Sequence, residues 1–165
     1  FPDIDKFKLF NGNLTVFKQV MFYFKLNLRV RNFDHDSGDG LWPGTRMLNF
    51  KLFKKISDVQ KIRNFKAKKY GWWRFDKPRL NIINYGGWHF RFFGSSKNLK
   101  HELENRSIGR GENILSSYSE LDINNIIKNR LPFTTEEERY EVYPLSKMPD
   151  FVKLNKERYI DSLII

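Results

Sequence analysis

Apolar residues along this chain fall into short runs whose spacing switches between strand and helix periods. Asn13 to Phe17 and Val20 to Leu28 read as strands. The second, Val-Met-Phe-Tyr-Phe-Lys-Leu-Asn-Leu, is mostly apolar on both faces, as in a strand buried within a sheet. Asn32 to Gly40 gathers Asp, Ser and Gly and reads as a loop. Met47 to Phe53 fits both templates, because Leu48, Phe50 and Leu52 alternate while Leu48, Leu52 and Ile56 share a helix face. Ser57 to Asn64 reads as a short helix capped by Ser57 or Asp58, whose side-chain oxygens satisfy free N–H groups of a first turn. Leu80 to Ile83 and Trp88 to Phe93 read as strands around Gly86-Gly87, where a bend or hairpin is expected. Farther on, Ile123, Ile126, Ile127 and Leu131 make a helical stripe that Pro132 ends. Glu136 to Tyr140 leads to a strand exit at Tyr143-Pro144-Leu145, and Pro149 to Asn155 with Ile160 to Ile165 predicts an amphipathic helical tail. The alternation predicts an α/β fold, and the lack of repeats or low-complexity linkers predicts one domain over residues 1–165.

Composition narrows the class. A chain of 165 residues with 40% hydrophobic and 16% aromatic content can bury a core, which excludes a disordered polymer. The absence of cysteine excludes disulfides and thiolate metal sites and fits a reducing compartment. No apolar run reaches membrane-span length and the N-terminus lacks a signal-peptide layout, so a cytoplasmic location is expected, or a lumenal one if an anchor lies upstream of Phe1.

Charge adds a partner class. The net charge is +11, and residues 1–100 hold 21 Lys or Arg against 7 Asp or Glu, while residues 101–165 hold 9 against 12. Such a basic segment suits an anion. Lys66 to Arg74 interleaves Lys68 and Lys69 with Trp72 and Trp73, a composition for phosphate contacts and base stacking on single-stranded nucleic acid or another polyanion. It suits a nucleotide diphosphate equally, and lysines that merely solubilise an aromatic surface would look the same.

The densest chemistry lies in Tyr85-Gly86-Gly87-Trp88-His89-Phe90-Arg91-Phe92-Phe93-Gly94. Adjacent glycines allow positive φ and close backbone approach, and Trp88 and His89 place a flat face and a titratable donor beside them. His89 is a candidate metal ligand or diphosphate-orienting group, against the plainer role of a hydrogen-bonded structural histidine. His35 between Asp34 and Asp36 is a weaker metal candidate, being set in a polar loop.

Taken in order, Met21-Phe22-Tyr23-Phe24-Lys25-Leu26-Asn27, Trp42-Pro43-Gly44-Thr45-Arg46, Gly86-Gly87-Trp88-His89-Phe90 and the stretch from Leu145 to Asn155 resemble glycosyltransferase family 17, the β-1,4-mannosyl-glycoprotein 4-β-N-acetylglucosaminyltransferase family. The resemblance spans most of the chain, and its most specific pieces are W-x-G-T-[RK] and G-G-W-H. It implies a GT-A-like mixed sheet with flanking helices and an inverting transfer of a sugar, N-acetylglucosamine by the family's pattern, from a nucleotide-sugar donor to a glycan acceptor. It also implies a divalent metal, Mn²⁺ or Mg²⁺, held by a D-x-D motif that is followed in the family by Glu, an aliphatic residue and Pro. Here Asp3-Ile4-Asp5 is a literal D-x-D, but Lys6 follows it. Phe1-Pro2 instead resembles the tail of the motif, which puts the metal-binding aspartates upstream of Phe1, makes the chain a C-terminal portion of the domain, and leaves Asp3 and Asp5 as helix-cap or turn residues.

Within that resemblance Trp42, Gly44, Thr45 and Arg46 would bind substrate through a stacking face, a tight turn and a bidentate cation, with Gly86, Gly87 and Trp88 beside them and His89 at the metal. Trp42 also suits a core anchor. For the general base that an inverting transfer requires, Glu120 and Asp122 ahead of the helical stripe are the candidates, and Asp122 equally suits an N-cap.

Overall fold

In a computed structural model the protein is described over residues 2–12, 14–32, 40–66, 71, 73, 79–110, 117–134 and 136–164, with the backbone alone at 105–110. The α/β expectation holds at the level of class. Six strands are present, β1 (Leu14–Tyr23), β2 (Leu28–Arg31), β3 (Leu41–Met47), β4 (Leu80–Ile83), β5 (Trp88–Arg91) and β6 (Arg139–Val142). The helices are α1 (Phe50–Ile56), α2 (Val59–Asn64), α3 (Ser96–Arg110), α4 (Glu120–Asn129) and α5 (Asp150–Leu154), joined by 3₁₀ turns at Ile4–Leu9, Leu145–Lys147 and Lys156–Ser162. Strand order is β3-β1-β2-β6, with β4 and β5 also pairing with β1. Among the described residues no helix is long and apolar enough to cross a membrane.

The strand pattern of the sequence is redrawn at β1. The apolar pattern predicts a break at Lys18-Gln19 and a second strand on to Leu28, whereas one ten-residue strand runs through both polar residues and ends at Tyr23, with every side chain buried. Lys18 and Gln19 are only 6% and 2% exposed. Gln19 tolerates burial because its Nε2 donates to Thr45 Oγ1 at 3.2 Å.

The chain forms two compact units, Phe1–Val20 with Leu41–His89, and Met21–Gly40 with Phe90–Ile165. In the first, β3 runs antiparallel to β1 and β4 runs parallel to it. Helix α1 is capped by Asn49, whose Oδ1 accepts from Leu52 N at 2.7 Å, which settles the double period of Met47 to Phe53 as strand end followed by helix. Of the two caps considered for α2, Asp58 serves it by accepting from Gln60 N and Lys61 N, while Ser57 closes α1 in the left-handed conformation. Beyond β4, Gly86 N donates to Lys18 O and Val20 N donates to Gly87 O, so the chain stays on β1 through a bend and makes no hairpin there.

The second unit holds a β1–β2 hairpin and β6 antiparallel to β2, with one aromatic cluster of Tyr23, Phe24, Phe92, Phe133 and Tyr140 and another in which Phe22 meets Phe90 and Tyr143. Helix α3 packs on α4, and both bury apolar residues, Leu99 and Leu103 on one, Ile123 and Ile126 on the other. The sequence pattern showed no stripe for α3, whose surface is largely polar. The predicted tail is a short α5 followed by a 3₁₀ turn at Lys156–Ser162. The charge is also uneven by unit: the first holds 15 basic against 4 acidic residues, the second 15 against 15.

Candidate functional site

The two most specific segments of the sequence meet in the first unit. Trp42 is the Cα partner of Gln19, and Val20, the next residue on β1, donates its N–H to Gly87 O at 3.0 Å. Strand β1 therefore carries the Trp42 segment on one edge and the Gly86-Gly87 segment on the other. The Trp42 and His89 rings come together with centroids 5.5 Å apart and planes inclined by 31°. Both residues are half-buried, so the pair forms a partly accessible aromatic face.

The Trp42–Arg46 segment is strand, and a bulge gives it its shape. Val16 pairs with Arg46 and Lys18 with Pro43, which leaves Gly44 and Thr45 opposite Phe17 alone. Proline is tolerated here because β3 ends the strand order and Lys18 O accepts from Gly86 N, so the backbone groups opposite Pro43 face the other edge and no ladder N–H is required of it. A side chain at Gly44 would collide with Gln19 Oε1, so the glycine makes room for the buried amide that holds Thr45.

Arg46 is fixed by backbone carbonyls. Its Nη1 donates to Pro43 O at 3.1 Å and to Gly44 O at 3.0 Å, its Nη2 donates to Phe65 O at 3.3 Å, and its Nε is buried with no hydrogen-bond partner among the described residues. No carboxylate among the described residues pairs with it. Burial, and then the positive Arg63, push its pKa below the ordinary guanidinium range. Both effects disfavour an uncompensated cation, and a bound anion would relieve both.

At the glycine pair, Gly86 is close-packed: a Cβ there would lie 2.8 Å from Phe17 Cβ and 3.2 Å from Ile83 O. Its freedom from a side chain serves contact with β1. Gly87 takes φ +143 and forms an antiparallel bridge with Pro2, and Asp3 N donates to Gly86 O at 2.9 Å. Asp3 caps the first 3₁₀ turn by accepting from Asp5 N at 3.1 Å, and Asp5 pairs with Lys8 at 3.6 Å. Among the described residues no three His, Cys, Asp or Glu side chains cluster as a metal centre. Among the described residues, the site of the first unit thus supplies one imidazole and no set of carboxylates.

Glu120 and Asp122 lie in the second unit, exposed in the first turn of α4. The cap itself is Ser119. The Asp122 carboxylate accepts from Ser119 N at 2.8 Å and from Ser119 Oγ at 2.7 Å, closing a capping box, and these bonds lower its pKa. Trp88 is half-buried next to His89. Of the basic aromatic stretch, Trp73 is 63% exposed, while Lys68, Lys69 and Trp72 lie outside the described residues, as does His35. Sequence reasoning missed Gln19, because a polar residue within an apolar run reads as a strand end. Its only signal was Gly44, a glycine in a segment that proved to be strand. No family model, curated protein or solved structure matches the chain.

Proposed function

We propose that the protein is the acceptor-side portion of a glycosyltransferase of GT-A type that moves N-acetylglucosamine or a related sugar, with inversion, from a nucleotide-sugar donor to a glycan. The observation that carries this reading is the Trp42–His89 ring pair, which joins segments 47 positions apart that resemble one family; farther along the strand of Trp42 stands a half-buried Arg46 with no carboxylate partner among the described residues. In this reading Arg46 meets the donor diphosphate by charge-assisted hydrogen bonds. The Trp42–His89 face packs against the apolar side of a sugar or base, and the surplus of basic residues in this unit favours an anionic donor.

A divalent metal enters the proposal only with carboxylates that precede Phe1. The antiparallel bridge of Pro2 to Gly87 sets Pro2 two positions from His89 along the partner strand, and His89 is the imidazole this reading assigns to the metal. For proton removal, Asp122 spends its carboxylate on Ser119 and is a weakened base, so the reading ranks Glu120 ahead of it.

Titration calorimetry with a panel of nucleotide sugars, with and without Mn²⁺, tests recognition. One donor should bind, and Arg46→Gln should weaken it by about tenfold to a hundredfold, the value of a charged hydrogen bond. If no nucleotide sugar binds while oligonucleotides bind with a steep salt dependence, the polyanion-binding alternative replaces this one. Separately, a Glu120→Gln chain that retains full transfer would dismiss that residue as the base.

A further inference from the structure

Helices α1 and α2 of the first unit expose a surface that the sugar-transfer reading does not use. On α1, Phe50, Lys51, Lys54 and Lys55 are exposed on one face, while Leu52, Phe53 and Ile56 turn inward on the other. Phe50 is 67% exposed, its ring stacked on Phe53 at 6.2 Å and covered by Lys54 Nζ at 4.9 Å. After the Ser57-Asp58 link, α2 packs on α1 and exposes Val59 by 63%, with Arg63 on the same face one turn on, Lys61 exposed elsewhere on the helix and Lys66 just beyond it. From Phe50 to Lys66 there are six basic side chains and a single acidic one, Asp58, which caps α2 and pairs with Lys61 at 3.9 Å.

We infer that this α1–α2 surface docks on a bilayer containing anionic phospholipid. Charge complementarity selects the occupant: lysines on short helices, flanking an aromatic and an aliphatic side chain held out to solvent, match a headgroup layer above an acyl boundary. A polynucleotide would match the charge but leave Val59 without a role, since an aliphatic side chain offers no face on which a base can stack. The inference does not rest on the sugar-transfer reading: Arg63 is close enough to act on the charge of Arg46, but Phe50, Lys54, Lys55 and Val59, which the test replaces, lie outside the Trp42–Arg46 and Gly86–His89 segments.

The test is co-sedimentation of the full chain with phosphatidylcholine vesicles, with and without phosphatidylserine. Binding should require the anionic lipid and weaken with salt. The double variant Lys54→Gln/Lys55→Gln should bind about 25-fold more weakly, roughly fivefold for each lysine. Phe50→Ser, checked for native circular dichroism, should lose about tenfold through the missing apolar insertion. Equal binding to both vesicle types overturns the inference. So does a Phe50→Ser/Val59→Ser chain with undiminished vesicle affinity, or an oligothymidylate that binds more tightly than vesicles and is indifferent to those two substitutions.

Discussion

Gly44 and Gly86 lack a side chain for different reasons, and substitution should separate them. The obstacle at Gly44 is the end of the Gln19 side chain, which can swing away at the expense of its hydrogen bond to Thr45. At Gly86 the obstacles are the β-carbon of Phe17 and the carbonyl of Ile83, neither of which moves without the strand. Gly44→Ala should therefore cost about 1 kcal/mol, one buried hydrogen bond, and Gly86→Ala about 3 kcal/mol, the upper end for overpacking. Urea unfolding of both chains checks the order. In a Gln19→Ala background the Gly44→Ala cost should nearly vanish and the Gly86→Ala cost should persist; coupling of Gln19 to Gly86 of similar size would show that the glycines share one cause.

At the scale of elements, what the sequence revealed depended on whether the deciding contacts were local. The α2 cap was legible because Asp58 bonds to N–H groups two and three residues away. The α4 stripe was legible because Ile123 and Ile126 fall on one helix face, although its cap is Ser119 and not Asp122. The end of β1 was hidden. Its turn after Tyr23 holds no Gly or Pro, with Phe24 at φ +64, and it is held by distant groups: Asn27 exchanges hydrogen bonds with Ile164, and Leu26 N donates to Ser162 O. In the candidate site, Trp42 and His89 were each legible from composition and glycine context, but their meeting was not, since it depends on two segments pairing with opposite edges of β1.

The segment before β6 shows the same dependence on a single buried group. Glu138, 1% exposed, accepts from Phe133 N at 2.8 Å, Thr134 N at 3.1 Å, Tyr140 OH at 2.8 Å and the Thr134 hydroxyl. Glu138→Ala leaves four donors without this acceptor and should cost about 3 kcal/mol or more, whereas Glu137→Ala, exposed next to it, should stay within about 0.5 kcal/mol. The cluster also sets an alkaline limit. Burial, then the negative Glu138, push the Tyr140 hydroxyl far above its ordinary value of 10.0, and burial raises Tyr23 against the pull of Arg91. A raised folded pKa means that the folded chain keeps protons which the unfolded chain releases. Stability from these groups is thus complete below pH 10 and declines above it, by about 1.4 kcal/mol per pH unit for Tyr140, with Tyr23 adding in the same direction. Tyrosinate absorbance that develops together with loss of native circular dichroism, and not before it, is the expected result.

Over the whole molecule, the net charge of +11 resides in one unit. The second unit balances its cations with acids, in part directly, as in the pairs of Arg29 and Arg31 with Glu141 and of Lys153 with Asp150. Binding to an extended anionic surface is governed by local charge within a screening length of about 8 Å at physiological salt, and net charge enters weakly. Two variants that each remove three positive charges should therefore behave differently. Lys51→Gln/Lys54→Gln/Lys55→Gln, confined to the basic unit, should elute from a cation exchanger at clearly lower salt than the parent chain. Lys97→Gln/Lys128→Gln/Lys156→Gln, confined to the balanced unit, should elute close to the parent. Equal shifts would mean that the surface responds to total charge, and the division by unit would then have no bearing on which anion the protein meets. Unequal shifts in the stated order would tie both the donor diphosphate and the lipid headgroups to the same unit, the one that holds Trp42, Arg46 and His89.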